Sequence, residues 1–494
     1  MTGAVPDLVA RRAALAPDRI ALEDALTGRT SSYRQLDERA CRAAALLRAR
    51  AIREGDRVAT LCRNRIEFFE LLFACAKIGA LLVPLNWRMP AAELDALVAD
   101  ADPALLFYGA EDEAAAARLA ADLPAIALDG DYEPLLARTG IERFRLLWPS
   151  GSTWYLLYTS GTTGRPRGVI YTFAMALANA ASLRTAIDLV STDTTLTFLP
   201  NFHTAGINLH ALPTLFAGGR VLLLPGFDAD AVVGLIEARR VDAFFAVPTV
   251  YQALLDHPRF AAAPLDRVRH WGCGGAPLPD SLALACRDIG IRLCNGMGMT
   301  ETGPTAFLLD PADAWDRIGS VGKPQLLCSA RIVDAAGRDL PDGQVGDLLF
   351  AGPGVTPGYW RNEAATRAAF TADFWLRSGD LASRDSDGFH YIAGRRKEMF
   401  ISGGENVYPA EVENVLCAHP GVIDVAVLPR PDPRWGEVGR AYVQLAAQAA
   451  PPREDELRAF CRARLAAYKV PASFAFVPGF PRTSAGKIQK HLLA

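Results

Sequence analysis

The segment Tyr158-Thr-Ser-Gly-Thr-Thr-Gly-Arg-Pro-Arg-Gly168 is a polar, glycine-rich loop between two predicted regular elements. The apolar run 154–158 predicts a β-strand before the loop, and residues 173–187 predict a helix after it. Four hydroxyl side chains and three glycines let such a backbone turn and direct hydroxyl and N–H groups at one anion. Two arginines add positive charge, so the loop predicts a polyphosphate-binding site. Its glycine spacing and the lack of a following lysine distinguish it from the loop of P-loop nucleotide-binding proteins.

Short apolar runs and alanine-rich helical stretches alternate over most of the chain on both sides of this loop. The runs 194–199, 220–224 and 242–247 each end before a proline, and a helical pattern follows each of them. Continuous apolar strands between helices indicate sheets covered on both faces, so the predicted fold class is α/β, with two layered α/β subdomains. Beyond about residue 337, dense glycine and proline predict a small β-rich, β-barrel-like subdomain that ends near residue 380.

The last part of the chain predicts a separate, smaller unit of α+β type. Residues 411–419 and 454–468 predict helices, and the run 422–428 between them predicts a buried strand. We therefore divide the chain into a large N-terminal domain, residues 1–396, and a C-terminal domain, residues 397–494. A unit of the second size is long enough to fold around its own core.

Composition and charge exclude several classes of function. The chain has 52 basic and 55 acidic residues and a formal charge of −3, so we expect no nucleic-acid partner. The most apolar region, 71–85, is too short for a membrane span and contains Lys77, so we expect no integral membrane protein. Nine cysteines without close pairs or zinc-ligand spacing predict free thiols, and the first residues show no signal-peptide pattern. Together these features predict a cytoplasmic protein.

The glycine-rich loop resembles the phosphate loop of the adenylate-forming superfamily of AMP-dependent ligases, which includes acyl-CoA synthetases, peptide-synthetase adenylation domains and luciferases. Four further blocks resemble this family in the same order, and the chain looks most like bacterial acyl- or aryl-CoA ligases. A single block could arise by chance, whereas five in order are specific. The four blocks are Asn295-Gly-Met-Gly-Met-Thr-Glu301, Trp375-Leu-Arg-Ser-Gly-Asp380, Gly394-Arg-Arg-Lys-Glu-Met-Phe-Ile-Ser-Gly-Gly-Glu-Asn-Val-Tyr-Pro409 and Pro481-Arg-Thr-Ser-Ala-Gly-Lys487.

The resemblance implies a ligase that activates a carboxylic acid with ATP. In this reaction the acid attacks the α-phosphate to give an acyl-adenylate and pyrophosphate, and CoA then takes the acyl group and releases AMP. Because both reactants of the first step are anions, Mg²⁺ and fixed cations must offset their repulsion. The implied ligands are a small-molecule carboxylic acid, ATP, Mg²⁺ and coenzyme A.

By resemblance, four residues carry the catalytic roles. Glu301 would hold the metal ion, and Thr300 would lie at the α-phosphate. Lys487 would approach the carboxylate during adenylation, and His203 would gate the acid pocket. Nucleotide contacts, with Asp380 at the ribose hydroxyls, are implied for Thr159, Ser160, Gly161, Thr162, Thr163, Gly164, Arg167, Gly274, Gly275, Ala276, Asn295, Met297, Asp380 and Arg395.

The resemblance also implies that the C-terminal domain is mobile and rotates about a hinge at Lys397 before thioester formation. Gly403 and Gly404 would then line the tunnel for the pantetheine arm of CoA. The remaining candidate CoA contacts are Arg88, Trp435 and Lys469.

Three features depart from the family pattern. Arg167 stands where the phosphate loop usually has a lysine, and Met297 stands where a tyrosine usually faces the adenine. Family members often place cations near Val470 and Ala472 for the 3′-phosphate of CoA, and this chain has none there.

The side chains predicted to line the acyl pocket are small or apolar. They include no arginine that could pair a second carboxylate, and the stretch 200–208 has no aspartate that could hold an α-amino group. The predicted substrate is therefore an aryl or hydroxycinnamate-like acid, or a medium-chain aliphatic acid, with a preference for the first class. The predicted lining is Phe202, Ala205, Gly206, Ile207, Cys273, Gly298, Met299 and Thr305.

Three hypotheses about function stay open at this point. The leading one is an acid–CoA ligase, and the second is a stand-alone adenylating enzyme that loads the phosphopantetheine of a carrier protein. The third is a non-catalytic nucleotide-binding protein, which the presence of Glu301, Asp380, Arg395 and Lys487 disfavours. The oligomeric state is open as well, with a homodimer among the alternatives.

Overall fold

The computed structural model describes residues 3–121, 123–142, 144, 147–160, 166–446, 452–482 and 487–493. Its strands in chain order are β1 Ala4–Pro6, β2 Ile20–Asp24, β3 Thr30–Ser32, β4 Arg57–Leu61, β5 Leu81–Pro84, β6 Leu105–Tyr108, β7 Ala125–Ala127, β8 Leu147–Pro149, β9 Thr153–Ser160, β10 Pro166–Thr172, β11 Thr194–Thr197, β12 Arg220–Leu223, β13 Ala243–Ala246, β14 His270–Gly274, β15 Leu293–Met299, β16 Gly303–Leu308, β17 Lys323–Pro324, β18 Ser329–Val333, β19 Gly346–Ala351, β20 Leu376–Arg384, β21 His390–Arg395, β22 Phe400–Ser402, β23 Glu405–Val407, β24 Val422–Asp432, β25 Gly436–Leu445 and β26 Ser473–Val477. Its α-helices are α1 Leu8–Leu15, α2 Tyr33–Ala49, α3 Ile66–Ile78, α4 Ala91–Ala101, α5 Glu113–Leu119, α6 Tyr132–Arg138, α7 Phe173–Ala186, α8 Ala211–Ala217, α9 Ala229–Glu237, α10 Pro248–Leu255, α11 Asp280–Asp288, α12 Glu363–Ala369, α13 Pro409–Cys417 and α14 Glu454–Arg462.

Two largely parallel sheets dominate the N-terminal part of the chain. The six-stranded sheet has the order β10-β9-β5-β4-β6-β7, and the nine-stranded sheet has the order β17-β16-β15-β14-β13-β11-β12-β2-β3. In the first sheet only β10 runs antiparallel to its neighbour, and in the second the strands from β15 to β2 are parallel. The predicted α/β class with two layered subdomains is therefore confirmed.

The strands and the helix predicted beside the glycine-rich loop are present. The run 154–158 lies in β9, and the predicted helix 173–187 is α7. The three predicted runs 194–199, 220–224 and 242–247 correspond to β11, β12 and β13, and each strand stops before the following proline. Proline lacks the N–H that a ladder requires, so it ends these strands.

The helices between the two sheets carry the largest apolar core. Helix α2 begins with a capping box, in which the Gln35 N–H donates to Ser32 Oγ at 3.2 Å and the Ser32 N–H donates to Gln35 Oε1 at 2.8 Å. The core includes Leu36 of α2, Phe69 of α3 and Trp154 of β9, so it joins these helices to the six-stranded sheet. Within the described residues, no helix is both long enough and apolar enough to cross a membrane.

The β-rich subdomain is an open, antiparallel sheet with the order β18-β19-β20-β21. The predicted barrel-like closure is wrong, and the bounds move from about 337–380 to 329–395. Closing a barrel requires strongly tilted strands around a filled interior, which so few strands do not provide. The sheet instead buries Leu348 and Phe350 against Phe307 of the nine-stranded sheet.

The C-terminal part forms a sheet with the order β23-β22-β25-β24, and β26 pairs with β25. The predicted strand 422–428 extends to Asp432, and the predicted helix 454–468 stops at Arg462. Leu465 and Tyr468 still pack against the core of this unit, although they lie beyond the helix. The apolar pattern that predicted a longer helix therefore includes residues that pack against the core without being helical.

All nine cysteines are free thiols, as predicted, and seven of them are buried. Burial raises the pKa of every one of these thiols. A raised pKa keeps a thiol protonated, and a protonated thiol is a poor nucleophile.

Lys77 near the end of α3 is a buried lysine with two acidic partners. Its Nζ lies 2.7 Å from Asp7 Oδ2 and 2.6 Å from Asp37 Oδ1, and its side chain is only 3% exposed. Asp7 also caps α1 by accepting the Ala10 N–H at 3.1 Å, and Asp37 belongs to α2. One ammonium group therefore connects three helices.

We expect Lys77→Ala to lower the free energy of unfolding by about 3 kcal/mol, because it leaves two carboxylates unpaired in a buried site. The matched control is Arg338→Ala, which removes an exposed ion pair with Asp334 and should change stability by less than about 1 kcal/mol. Urea denaturation at neutral pH measures both values. Equal losses in the two variants would contradict a structural role for the buried ammonium.

Candidate active site

The candidate site lies where β14 and β15 end, at the carboxyl edge of the nine-stranded sheet. This edge is the usual ligand position in open parallel sheets. Strand β14 ends at Gly274, and β15 leads into Thr300 and Glu301. A Cβ at Gly274 would lie 2.6 Å from the carbonyl oxygen of Gly296, so only glycine fits there. Gly275 has a φ of +83°, which also favours glycine.

Glu301 presents a buried carboxylate at this edge. Glu301 is only 8% exposed, and its Oε1 accepts a hydrogen bond from the Tyr359 hydroxyl at 2.8 Å. The Arg167 guanidinium lies 5.6 Å from the centre of the Tyr359 ring. The phosphate-loop arginine and the predicted metal ligand therefore contact the same tyrosine.

The donor set around Glu301 fits a magnesium ion that is shared with substrate phosphates. Among the described residues, no group of three or more His, Cys, Asp or Glu side chains could hold a metal ion alone. Mg²⁺ is commonly held by one or two carboxylates together with phosphate oxygens and water. A single buried carboxylate beside an arginine of the phosphate loop meets that requirement.

The backbone at Thr300 is fixed by a buried tyrosine. The Tyr171 hydroxyl donates to the Thr300 carbonyl at 2.5 Å and lies 2.6 Å from Thr204 Oγ1. Tyr171 itself stacks on Tyr155, with ring centroids 4.9 Å apart. Residues of β10 and β9 thus position the turn that carries the predicted α-phosphate and metal contacts.

Asp380 carries an unused hydrogen-bond acceptor in the same region. Its Oδ1 lies 2.9 Å from Arg395 Nε, while its buried Oδ2 has no hydrogen-bond partner among the described residues. Burial raises the pKa of Asp380, and the Arg395 charge opposes that effect. A buried acceptor without a partner is costly, and the hydroxyls of a ribose would supply the missing donors.

Lys487 is an exposed residue overall, yet its ammonium group interacts with the charged side chains of this site. Burial and the charge of Arg395 lower the pKa of Lys487, and the charges of Asp380, Glu301 and Glu398 raise it. The ammonium group therefore lies within electrostatic range of three carboxylates. The catalytic role that the sequence assigns to this lysine stays a prediction.

The segment around Lys487 is held by neighbouring residues of the C-terminal part. Arg482 and Ile488 form an antiparallel bridge. Lys490 Nζ lies 2.7 Å from Glu398 Oε2 and 2.8 Å from Glu413 Oε1. These contacts attach the segment to the C-terminal unit on both sides of the lysine.

His203 is a half-buried imidazole within electrostatic range of Lys487. Burial, with the charges of Arg88 and Lys487, lowers the pKa of His203 to about 4. The ring packs edge-on against Phe202, with centroids 4.6 Å apart, and Phe202 packs edge-on against Trp87 at 5.8 Å. A neutral ring adds no positive charge that would hold a substrate carboxylate away from the phosphorus.

Trp87 is the last of the three rings His203, Phe202 and Trp87 that pack in a row, and it lies between two arginines. The guanidinium carbons of Arg63 and Arg88 lie 3.4 and 4.5 Å from the centre of its ring. Arg63 also donates to both carboxylate oxygens of Asp112 at 3.1 Å. Arg88, a predicted CoA contact, therefore belongs to a fixed cationic cluster beside the gate.

Comparison with known proteins identifies the group to which this chain belongs. Residues 9–360 match the AMP-binding enzyme family, and residues 411–487 match the C-terminal domain of AMP-binding enzymes. The chain is an AMP-binding enzyme.

Its relatives include ligases of aromatic acids. The chain is 42% identical over 485 residues to a feruloyl-CoA synthase of an Amycolatopsis species, with 97% of this chain and 96% of the relative covered. It is 37% identical over 492 residues to the indoleacetate–CoA ligase of Aromatoleum aromaticum, with 97% and 95% covered. A solved structure of O-succinylbenzoate coenzyme A synthetase from Bacillus subtilis, in complex with ATP and a magnesium ion, matches with a TM-score of 0.90 and 31% identity over 99% of each chain.

This AMP-binding enzyme is an acid–thiol ligase that uses ATP, Mg²⁺ and coenzyme A. Magnesium bound at Glu301 would neutralise phosphate charge when the nucleotide is present. Lys487 adds a positive charge within electrostatic range of Asp380 and Glu301. Asp380 and Arg395 form an ion pair near this charge, and the lowered pKa of His203 leaves its ring neutral.

The residues predicted for CoA are only partly available in the AMP-binding enzyme. Gly403 has a φ of +61°, its N–H donates to the Trp435 carbonyl at 2.9 Å, and a Cβ there would lie 2.7 Å from Trp435 Cε3. Gly404 faces open space, and Trp435 is 45% exposed. Lys469 Nζ instead lies 2.7 and 2.8 Å from the two carboxylate oxygens of Glu411, so its charge is already paired.

The structure separates the predicted acyl-pocket residues. Ala205, Gly206 and Ile207 lie in the π-helical turn Ala205–Leu209 beside His203. The side chain of Cys273, by contrast, packs into the apolar core on the other face of the sheet, so it does not line the pocket. Side chains alternate between the faces of a strand, and the residues on either side of Cys273 are the ones that face the site.

The other predicted lining residues lie near β16. A Cβ at Gly298 would be 2.2 Å from the carbonyl oxygen of Pro304, so this glycine permits close approach of two strands. Met299 is half-buried where β15 ends. The buried Thr305 hydroxyl has no hydrogen-bond partner within the described residues, and Thr305 lines a separate cavity with Asn179.

Several predicted nucleotide contacts take structural roles or lie outside the described residues. Asn295 Nδ2 donates to the Ser320 carbonyl at 3.0 Å, and Met297 packs against the β-rich subdomain. Gly275 and Ala276 follow β14 at the site edge. Thr159 and the backbone of Ser160 end β9, whereas the predicted contacts outside the described residues are Gly161, Thr162, Thr163 and Gly164.

Sequence reasoning missed the residues that support the site from a distance. Tyr359 holds Glu301, Tyr171 holds the Thr300 carbonyl, and Glu398 contributes negative charge near Lys487. Each is far from its partner along the chain, so no local spacing could have revealed it. Trp87, which packs against Arg63 and Arg88, was missed as well, although its position directly before the predicted CoA contact Arg88 could have indicated it.

We expect Asp380→Asn to weaken ATP binding by about 10- to 100-fold, because it removes a charged acceptor from two ribose donors. Isothermal titration of ATP in the presence of Mg²⁺ measures this change. Asp373→Asn is the matched control, since Asp373 lies on the same subdomain but on the surface, at 64% side-chain exposure. Equal affinities for the wild type and Asp380→Asn would remove Asp380 from the nucleotide site.

Proposed function

We propose that this ligase converts an aryl or arylalkenyl acid, of the hydroxycinnamate type, into its CoA thioester through an acyl-adenylate. The observation that carries the proposal is the convergence of Lys487, Asp380 and Glu301 beside neutral His203. This arrangement supplies positive charge at the phosphorus, an acceptor for the ribose and a metal ligand. It leaves the acid pocket itself without an ionised group.

The residues on either side of His203 in the sequence support the proposed substrate class. Phe202 and the turn Ala205–Leu209 present apolar or small side chains. Two relatives with full-length similarity act on acids with an aromatic ring, namely ferulic and indoleacetic acid. A medium-chain aliphatic acid is the second candidate, because the same apolar lining would accept an alkyl chain.

The proposed acceptor is CoA, and the proposed route to it is rotation of residues 397–494 relative to residues 1–396. Lys397 lies in an exposed turn between β21 and β22, which suits a hinge. Gly403 and Trp435 form an exposed surface on the far side of that turn. The alternative acceptor is the phosphopantetheine of a carrier protein, which would use the same surface.

Two further proposals concern the setting of the enzyme. A cytoplasmic location is supported by nine cysteines that form no disulfide. A homodimer is a hypothesis without a supporting contact in the single chain, and the mass of the protein in solution tests it.

Release of pyrophosphate and AMP over a panel of acids, with and without CoA, tests the proposed reaction. We expect the highest kcat/KM for 4-hydroxycinnamate and ferulate, a lower value for octanoate and no turnover of malonate. Mass spectrometry should detect the acyl-CoA product. An acyl-AMP that accumulates and is not discharged by CoA would favour the carrier-protein acceptor, and a preference for octanoate would move the substrate class to aliphatic acids.

We expect Lys487→Ala to slow adenylation by about 10²- to 10³-fold, as for other preorganised charges at a reacting centre. Thioester formation from supplied acyl-AMP should stay within a few-fold of the wild-type rate. Lys487→Arg should also adenylate poorly, because a planar guanidinium does not replace a compact ammonium. Rapid-quench experiments measure the rate of each half-reaction. The control is Lys323→Ala, which removes an exposed lysine. Equal loss of both half-reactions in Lys487→Ala would argue against a specific role of Lys487 in adenylation.

A further inference from the structure

Two turns of the candidate site lie on either side of the Tyr171 hydroxyl. The first is the gate turn, residues 203–209, which begins at His203 and contains the π-helical segment Ala205–Leu209. The second is the phosphate turn, Thr300–Thr302, which carries the predicted α-phosphate and metal contacts. The two turns are far apart in the sequence, so contacts between side chains must set their relative position.

The Tyr171 hydroxyl contacts both turns. It lies 2.5 Å from the Thr300 carbonyl oxygen of the phosphate turn and 2.6 Å from Thr204 Oγ1 of the gate turn. A carbonyl oxygen can only accept, so the single hydroxyl hydrogen of Tyr171 is donated to Thr300. The Thr204 hydroxyl must therefore donate to Tyr171 Oη, because no other hydrogen is available between these two oxygens. Burial raises the pKa of Tyr171, which keeps this donor protonated.

Asn208 fixes the direction of the Thr204 hydroxyl from the other side. The Asn208 Nδ2 donates to Thr204 Oγ1 at 3.2 Å, and the Asn208 Oδ1 accepts from the Tyr155 hydroxyl at 2.6 Å. An amide nitrogen does not accept hydrogen bonds, so the Thr204 hydroxyl cannot donate to it. Four hydrogen bonds therefore run in one direction through a single chain, which consists of Tyr155, Asn208, Thr204, Tyr171 and the Thr300 carbonyl.

The surroundings of this chain make each of its hydrogen bonds costly to break. Tyr155, Tyr171 and Asn208 are buried, and Thr204 is half-buried. The rings of Tyr155 and Tyr171 stack on each other, and Asn179 Nδ2 of α7 donates to the Asn208 carbonyl at 2.5 Å. Hydrogen bonds in such a buried network are stronger than in water, and an unpaired member is destabilising. The chain therefore resists displacement of one turn relative to the other.

We propose that Thr204 is a positioning residue for adenylation, whose hydroxyl joins the gate turn to the phosphate turn and so aligns the substrate carboxylate with the α-phosphate. This inference rests on the proposed function, in which His203 lies beside the acid and Thr300 beside the α-phosphate. Attack on phosphorus requires the two reacting atoms to be aligned about 3 Å apart, and a small displacement lowers the rate steeply. The Thr204 link therefore acts on the chemical step and not on the binding of either substrate.

Thr204→Val tests this role, because it removes the hydroxyl, keeps the shape of the side chain and leaves the hydrogen bond from Tyr171 to Thr300 in place. We expect kcat for adenylation of 4-hydroxycinnamate to fall by about 10-fold or more, with KM for ATP and for the acid within about 3-fold of the wild type. Thr204→Ser restores the hydroxyl and should keep most of the wild-type kcat. Rapid-quench measurement of acyl-AMP formation gives these values. An unchanged kcat in Thr204→Val, or an equal loss in Thr204→Ser, would overturn the proposal.

Thr204 and Tyr171 should act as one unit. Tyr171→Phe keeps the aromatic ring and removes both hydrogen bonds of the hydroxyl, so adding Thr204→Val to it should cause no further loss of kcat. Losses that multiply in the double variant would show that the two residues act independently, and would overturn the link.

Thr195→Val is the matched control for Thr204→Val. Thr195 Oγ1 lies 2.9 Å from Thr214 Oγ1, so the control also removes one partner of a buried hydroxyl pair, but outside both turns. It should keep the wild-type kcat. A loss as large as that of Thr204→Val would assign the effect to the core in general and would overturn the specific role of Thr204.

Further measurements separate the positioning role from loss of structure and from failure of the proposed function. Thermal melting shows whether each variant is folded, and Thr204→Ala replaces Thr204→Val if that variant is not. Thioester formation from supplied acyl-AMP should keep its wild-type rate, because the bond between carboxylate and phosphate already exists, and an equal loss there would overturn the proposal. If the wild type prefers octanoate, the proposed substrate class fails, and the same variants are compared with octanoate. If the wild type forms no acyl-AMP with any acid, the proposed function fails and the positioning role fails with it.

Discussion

The attraction between the Lys487 ammonium and the carboxylates at the carboxyl edge of the nine-stranded sheet is the interaction on which this site depends. The negative charge comes from Asp380, Glu301 and Glu398, and the positive charge of Arg395 partly offsets it. Burial works against the charged form of the lysine, so the ammonium is held there by its acidic neighbours and would be drawn further by an anionic substrate. A charge that is held near these carboxylates before the substrates arrive needs little reorganisation when charge develops at phosphorus.

Close packing on one face of the nine-stranded sheet requires residues without side chains. Gly272 and Gly274 of β14 and Gly296 of β15 lie there, and a Cβ at any of them would meet a neighbouring atom within about 3 Å. The opposite face of the same strands buries Trp271 and Cys273 in an ordinary core. The two faces of these strands therefore differ, with an apolar core on one side and closely packed glycines on the other.

Part of the site could be predicted because several chemical groups sit within short blocks. The apolar run before the glycine-rich loop predicted its strand, whereas Thr300, Glu301 and Lys487 were identified through the resemblance of their blocks to the adenylate-forming family. The sequence could not show that Tyr359 holds Glu301 or that Glu411 pairs with Lys469, since those contacts depend on tertiary packing. It also placed Cys273 in the pocket, because a one-residue shift moves a side chain to the other face, and only the strand register settles it.

The buried cysteines have a consequence for an enzyme that makes a thioester. An acyl-adenylate is an acylating agent, and any accessible thiolate in the chain would compete with the thiol of CoA for the acyl group. Burial raises the pKa of all nine thiols, and Cys273 packs into the core on the face of the sheet that is opposite to the site. The cysteines of the protein therefore do not compete for the acyl group of the acyl-adenylate, so the activated acid is preserved for the incoming acceptor.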